Sequence, residues 1–177
     1  MNAFIDSSRA QGICCYRLPR YHELPQIDIY LDQLLTILQK TLEPLFTQED
    51  QKFITASMIN NYTKHGVISR PTKKKYGREQ IVHLIFLVIN KQFASLDAIQ
   101  GLLQIQVRSY PLDVAYDYFC TEFENALHAL FSGQERLPDS ATAQTEETVL
   151  MRACIAAAVH KIYLNLYLEY EMNSTAE

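Results

Sequence analysis

Three residues that suit the start of a helix stand in the middle of the chain, each before an apolar pattern of helical spacing. Thr55 precedes residues 56–65, Gly77 precedes an apolar run, and Ser95 precedes a shorter amphipathic segment. Short hydroxyl side chains and glycine are favoured at this position, where backbone N–H groups lack partners. Gly66 marks the expected end of the first of these helices, because glycine commonly follows the last turn of a helix. The order predicts three helices joined by short connections.

The connection between the first two of these helices is strongly basic. Residues 67–76 are too polar and too short for a helix, and they contain Arg70-Pro71 followed by three lysines. We predict a tight basic β-hairpin here. The apolar run after Gly77 also permits a buried strand, but its spacing favours a helix.

Further helices are predicted on both sides of this region. Asp28 is expected to cap a helix that ends near Leu42, before Pro44. Another helix follows Ser109-Tyr110-Pro111 and ends at Gly133. We therefore assign the chain to the all-α class.

The last predicted helix runs from Glu146 to about Glu171 and is apolar nearly all round. A helix of this kind is normally buried, here by partner helices or by a second subunit. We expect a narrow exposed face formed by Lys161, Asn165 and Glu169. The tyrosines of this helix are expected at an interface.

The charge distribution divides the chain. Residues 52–91 carry eight basic residues and one acidic residue, a net charge of +7, within a protein whose net charge is −4. A basic segment in an acidic protein is typical of a nucleic-acid-binding module joined to another part. We expect a flexible N-terminal arm (1–17), a DNA-binding domain (18–107) and a C-terminal helical region (108–173).

Other classes of protein receive little support. The four cysteines form no CxxC pair, and the start of the chain lacks the pattern of a secretory signal. We expect a reduced cytoplasmic protein with no membrane span, no metal and no cofactor. Nucleotide-binding and hydrolase motifs are absent from the sequence, so we do not expect an enzyme.

The order of motifs resembles the winged helix-turn-helix of the MerR class of bacterial transcription regulators. The matching residues are Met58 to Val67, Ser69-Arg70-Pro71, Tyr76-Gly77-Arg78-Glu79 and Ser95 to Ile99. The chain looks closer still to an uncharacterised bacterial family with a MerR-like domain, marked by Leu18-Pro19-Arg20-Tyr21 and Met58 to Tyr62. That resemblance covers residues 18–105. It implies a winged helix-turn-helix with a small basic hairpin as wing. The last third of the chain lies outside the resemblance. We expect its apolar helices to dimerise the chain, because one short recognition helix reads few base pairs and two-fold symmetry doubles the contacts.

Two groups of residues are candidates for contacts with double-stranded DNA. Short polar side chains on the outer face of helix 55–65 suit base edges in the major groove, and cations near a hairpin tip suit phosphates. The base-contact candidates are Ser57, Asn60, Asn61 and Lys64. The phosphate-contact candidates are Arg70, Lys73, Lys74, Lys75 and Arg78. Asn60 stands where the MerR pattern usually has arginine, so individual base contacts are not carried over from that class.

The sequence thus predicts a homodimeric, DNA-binding transcription regulator. Two other functions stay open. The winged fold could serve as a protein-interaction adaptor whose lysines contact an acidic partner. Alternatively, the C-terminal helices could enclose a small-molecule effector, which would make the protein a ligand-gated sensor.

Overall fold

A computed structural model describes residues 4–174 of the chain. It is 65% helical, with seven α-helices and a small two-stranded antiparallel sheet among the described residues. In chain order the elements are α1 (Ser8–Cys14), β1 (Ile29–Tyr30), α2 (Leu31–Leu42), α3 (Ala56–Lys64), β2 (Lys75–Tyr76), α4 (Arg78–Asn90), α5 (Leu96–Ser109), α6 (Leu112–Ser132) and α7 (Glu146–Ser174). The expected predominance of helix is confirmed.

The chain forms two compact units. The basic unit comprises Pro19–Glu43 and Lys52–Asp117. The terminal unit comprises the described residues up to Leu18, Pro44–Gln51 and the chain from Tyr118 onward. The division differs from the expected boundary at residue 107, which falls inside α5, and it places the start of α6 in the basic unit.

Helix α4 is the centre of the basic unit. Every residue from Ile81 to Asn90 is buried, and α4 packs against α2 and α5. Residues at helical spacing on these partners, among them Leu34, Leu38 and Ile99, are fully buried. The apolar run after Gly77 is therefore a helix, as its spacing predicted.

The predicted starts of the central helices are confirmed. The Thr55 hydroxyl accepts a hydrogen bond from the Met58 amide (3.3 Å), and the Ser95 hydroxyl accepts one from the Ala98 amide (3.2 Å). The Gly77 amide donates to the Gln80 side chain (2.8 Å). Gly66 follows α3 with φ +71°, a backbone conformation that a side chain disfavours.

The predicted start of α2 is wrong. Asp28 does not cap this helix, because Ile29 and Tyr30 form strand β1 and Tyr30 is the N-cap. Strand β1 pairs with β2 in antiparallel register, Ile29 with Tyr76 and Tyr30 with Lys75. The partner strands are far apart in sequence, so the local pattern contained no signal for this pairing.

The predicted hairpin over 67–76 is smaller than expected. A single bridge joins Thr72 to Lys75, and the strand pairing of Lys75–Tyr76 is with β1 instead of with the preceding residues. The basic segment is therefore a tight turn attached to a two-stranded ribbon.

The N-terminal segment is also more ordered than the expected arm. The Ser7 hydroxyl caps α1, and Ala10 and Ile13 are buried. Phe4 is 1% exposed and packs against three tyrosines of α7, with ring centroids 5.2–5.5 Å from those of Tyr163, Tyr167 and Tyr170. These tyrosines thus belong to an intramolecular aromatic cluster. Residues 1–3 of the expected arm lie outside the described residues.

Helix α7 is less buried than its composition predicted. It is long and apolar enough to cross a membrane, yet only 33% of its most apolar window is buried. Lys161, Asn165 and Glu169, which were expected on the exposed face, are half-buried. The exposed face instead carries apolar residues, namely Val149, Leu164, Leu168 and Met172.

Candidate nucleic-acid interface

Helix α3 presents a polar outer face. Ser57, Asn60, Asn61 and Lys64 are all exposed. Their spacing of three and four residues places them on one side of the helix. Ile59 and Tyr62 lie on the other side and are buried. The structure thus brings the four base-contact candidates together on one solvent-facing surface.

A half-buried lysine that follows the last residue of α4 contacts the inner side of α3. The Lys91 ammonium group donates to the Phe53 carbonyl and to the Tyr62 hydroxyl (3.4 Å). Burial lowers the pKa of Lys91, and burial also raises the pKa of Tyr62. Lys91 therefore positions the start and the inner face of α3, and its charge is not part of the exposed basic surface.

The basic turn is closed by two reciprocal backbone hydrogen bonds. The Thr72 amide donates to the Lys75 carbonyl (3.0 Å), and the Lys75 amide donates to the Thr72 carbonyl (2.9 Å). Lys73 and Lys74 form the tip and are exposed. The two neighbouring cations therefore project from a fixed backbone.

The backbone of this tip is unfavourable for lysine. Lys73 has φ 50° and Lys74 has φ 63°, and no other described residue except glycine has a positive φ. A two-residue turn with positive φ at both positions normally contains Asn-Gly or a similar pair. Each lysine costs about 1–2 kcal/mol in this conformation. The sequence has lysine at both positions where asparagine and glycine would be more stable.

The remaining phosphate-contact candidates differ in the contacts that their side chains make within the protein. Arg70 is exposed. The ammonium group of Lys75 lies 4.9 Å from the centre of the Tyr30 ring. The Arg78 guanidinium donates to the carbonyls of Pro25 (3.1 Å) and Leu24 (3.2 Å). Arg78 therefore ties the segment before β1 to the start of α4.

Tyr30 was missed by the sequence analysis. Its side chain is 53% exposed beside Lys75, to which it is paired in the two-stranded sheet. An exposed tyrosine beside a lysine adds an aromatic ring and a hydroxyl to the basic surface. Only the long-range pairing of β1 with β2 identifies it, so no local signal in the sequence could have done so.

A second polar cluster, also missed from the sequence, lies in the terminal unit. Glu122 on α6 is fully buried and contacts two arginines, Arg136 at 3.3 Å and Arg152 at 3.4 Å. Its other carboxylate oxygen accepts the Ser140 amide (3.0 Å). The cluster thus fixes the loop before α7 to both α6 and α7. A glutamate inside the apolar stripe of α6 was the available signal.

Asp139 and Tyr118 extend this cluster. The Tyr118 hydroxyl donates to Asp139 (2.9 Å), and burial together with this bond raises the pKa of Tyr118. Arg152 lies 3.7 Å from the same carboxylate. These hydrogen bonds and ion pairs join α6, α7 and the loop between them, so we assign the cluster a structural role. Across residues 4–174, no group of three or more His, Cys, Asp or Glu side chains could hold a metal ion.

The surface of the basic unit defines a helical domain with one exposed polar helix and a cationic turn. A family model described as a domain of unknown function, DUF1836, matches residues 19–119. Because the match covers more than half of the chain, the protein belongs to the DUF1836 family. Membership of an uncharacterised family is thus confirmed, and the match extends beyond residue 105. No curated protein and no solved structure gave a match.

Proposed function

We propose that the protein is a cytoplasmic transcription regulator that binds duplex DNA through its basic unit. In this proposal the unit is a winged helix-turn-helix of the MerR type. Helix α3 is the recognition helix, and the turn Thr72–Lys75 with Arg70 is a reduced wing. The protein acts by binding and has no catalytic role.

The observation that carries this proposal is the strained cationic tip. Strained backbone at an exposed position is retained where the side chains have a function that the more stable residues do not supply. Asparagine and glycine would relieve the strain of Lys73 and Lys74 but would remove both charges. Adjacent cations on a rigid turn suit contacts with consecutive phosphates.

The outer face of α3 supports the same function. Asn60 and Asn61 carry the amide groups that pair with adenine in the major groove, and Lys64 can reach a guanine edge or a phosphate. These side chains are exposed, whereas the inner face of the helix is fixed by Tyr62 and Lys91. A rigid, polar helix of this kind suits base readout.

A homodimer completes the proposal. One short recognition helix reads few base pairs. A two-fold symmetric dimer doubles the number of base contacts and fixes the distance between the two half-sites. The C-terminal helices are the proposed dimerisation region.

The test replaces the strained lysines with the residues that their backbone prefers. Anisotropy of a labelled mixed-sequence duplex is measured between about 50 and 200 mM salt, with about five phosphate contacts giving a log–log slope near −4.5. For K73N/K74G we expect the slope to become shallower by about 2. The same variant should be more stable towards urea by up to about 2–4 kcal/mol, because the strain is relieved at both positions. Gain of stability with loss of DNA binding is the expected signature.

The matched control removes two exposed lysine charges away from the turn, K40Q/K52Q, and should leave most of the slope unchanged. A second variant, N60A, should weaken the preference for one base pair by about 1–3 kcal/mol and leave the salt slope as it is. Equal losses in K73N/K74G and K40Q/K52Q would refute the role of the turn. No DNA binding by the wild type would refute the function and favour the adaptor, which a pull-down with nuclease treatment would then test.

A further inference from the structure

The two-stranded ribbon of β1 and β2 has one buried face and one exposed face. Ile29 and Tyr76 are directly paired and are 7% and 3% exposed, so their face packs on the core of the basic unit. Tyr30 and Lys75 form the next pair, and successive side chains of a strand point to opposite faces. Tyr30 and Lys75 therefore lie on the outer face.

Thr72 extends this outer face by one position. Lys75 is bridged to Thr72 on one side and paired with Tyr30 on the other. Side chains of directly paired residues point to the same face of a sheet. Thr72, Lys75 and Tyr30 thus form a row across three chain segments, about 10 Å long at about 4.8 Å per strand. The row begins directly beside the tip lysines, Lys73 and Lys74.

The polar groups of this row are available for a ligand. Thr72 is exposed, Tyr30 is 53% exposed, and the half-buried Lys75 has its ammonium group 4.9 Å from the centre of the Tyr30 ring. Among residues 4–174, neither hydroxyl has a hydrogen-bond partner and the ammonium group has no ion pair. Tyr30 is the N-cap of α2 but makes no side-chain capping bond, which Ser, Thr, Asp or Asn would make there. The fold therefore gives these hydroxyls no role.

We propose that this row is a second contact between the basic unit and the sugar–phosphate backbone of duplex DNA. The hydroxyls of Tyr30 and Thr72 donate hydrogen bonds to phosphate oxygens on either side of the Lys75 ammonium. Hydroxyl groups and lysines are common partners of phosphates in protein–DNA interfaces. The inference rests on the DNA binding proposed above. It adds two neutral contact residues and a DNA strand that crosses the ribbon along the row.

The surrounding charge favours a polyanion as the occupant. Arg70, Lys73 and Lys74 adjoin the row, and all three are exposed. A row of about 10 Å is long enough to meet more than one phosphate, since successive phosphates of a strand are about 3.4 Å apart along the helix axis. Base stacking on Tyr30 fits less well, because the Lys75 ammonium covers one side of its ring.

The two acids nearest to Tyr30 in the chain do not pair with Lys75. The Asp28 carboxylate lies beside Gly77, at the N-terminus of α4. Asp32 lies in the first turn of α2. Neither forms an ion pair with Lys75 within the part of the chain that the structure describes. The ammonium group therefore keeps its charge for a phosphate.

Removal of single hydroxyl groups tests the contact. Tyr30→Phe keeps the ring beneath the Lys75 ammonium, and Thr72→Val keeps the shape of the side chain. Each variant should weaken binding of a labelled mixed-sequence duplex by about 3–10-fold, the usual contribution of one hydrogen bond. The loss should be the same for two unrelated duplexes, because phosphates carry no sequence information.

The salt dependence separates the hydroxyls from the lysines. A contact made by a hydroxyl releases no counterion, so the log–log slope of Tyr30→Phe and Thr72→Val should stay within about 0.5 of the wild-type value. Lys75→Gln should instead make the slope shallower by about 0.9.

Two controls remove a hydroxyl from the basic unit outside the row. Tyr21 also has a cation over its ring, the Arg78 guanidinium at 5.2 Å, so Tyr21→Phe is matched to Tyr30→Phe. Thr36 on α2 is exposed, and Thr36→Val is matched to Thr72→Val. Both controls should bind DNA like the wild type. Circular dichroism should be the same for all variants.

The outcomes separate this inference from the proposed function. Wild-type binding with unchanged affinity in Tyr30→Phe and Thr72→Val would overturn the inference alone, as would equal losses in the two controls. A loss in Tyr30→Ala but not in Tyr30→Phe, with a single strand bound more tightly than the duplex, would assign the ring to base stacking and also overturn it. No DNA binding by the wild type would refute the function and this inference together.

Discussion

Helices α4 and α7 are both rich in apolar residues, but only α4 is covered on all sides. From Ile81 to Asn90 every residue of α4 is buried, because α2 and α5 pack on it. Only seven residues of α7 are buried, and its opposite face carries the exposed Val149, Leu164, Leu168 and Met172. The apolar content of a helix sets how much surface benefits from burial, and the neighbouring elements determine how much is covered.

The largest expected difference between the two helices lies in the cost of losing a leucine. Leu84 of α4 is fully buried, and Leu84→Ala should lower the free energy of unfolding by about 2–5 kcal/mol. Leu164 of α7 is 49% exposed, and Leu164→Ala should change it by less than about 0.5 kcal/mol. Urea denaturation at low protein concentration measures both. Similar costs would mean that the exposed face of α7 is covered in solution even in the monomer.

The sequence predicted those parts of the fold that have local causes. Thr55, Gly66, Gly77 and Ser95 mark the ends of helices by backbone chemistry that acts within four residues, and these boundaries are confirmed. The spacing of apolar residues likewise predicted α4 as a helix. For the candidate site, the same local pattern placed the polar side chains of α3 on its exposed face.

What the sequence did not predict depends on contacts between distant residues. Strand β1 exists because it pairs with Lys75–Tyr76, and this pairing explains both the wrong cap at Asp28 and the omission of Tyr30. The hydrogen bonds from Arg78 to the carbonyls of Leu24 and Pro25 were not predicted for the same reason, since the partners are far apart in the sequence. A nearly uniform apolar helix such as α7 also gives no periodicity from which its covered side could be read.

The covered side of α7 should depend on the buried carboxylate that faces it. In Glu122→Gln, Arg136 and Arg152 lose the buried negative charge that they share, and the free energy of unfolding should fall by about 2–3 kcal/mol. Glu135→Gln is the control, since Glu135 is exposed in the loop before α7. Thermal unfolding followed by circular dichroism compares the two variants. An unchanged melting temperature in Glu122→Gln would show that apolar contacts alone hold α7 to its unit.

The smallest expected effect concerns the buried histidine of α4. His83 lies in the run of this helix in which every residue is buried. Burial lowers the pKa of His83, while the charge of Glu79 and a hydrogen bond with Gln106 oppose this shift in part. The unfolded chain therefore binds a proton at this position more readily than the folded protein does.

Because its folded pKa is lowered, neutral His83 contributes stability that is fully present above the unfolded pKa of about 6.5 and is lost as the pH falls below it. Urea denaturation between about pH 7.5 and 5.5 should thus show a smaller loss of stability in His83→Gln than in the wild type. If His83→Gln followed the wild-type pH profile, the acid sensitivity would have to come from groups other than His83.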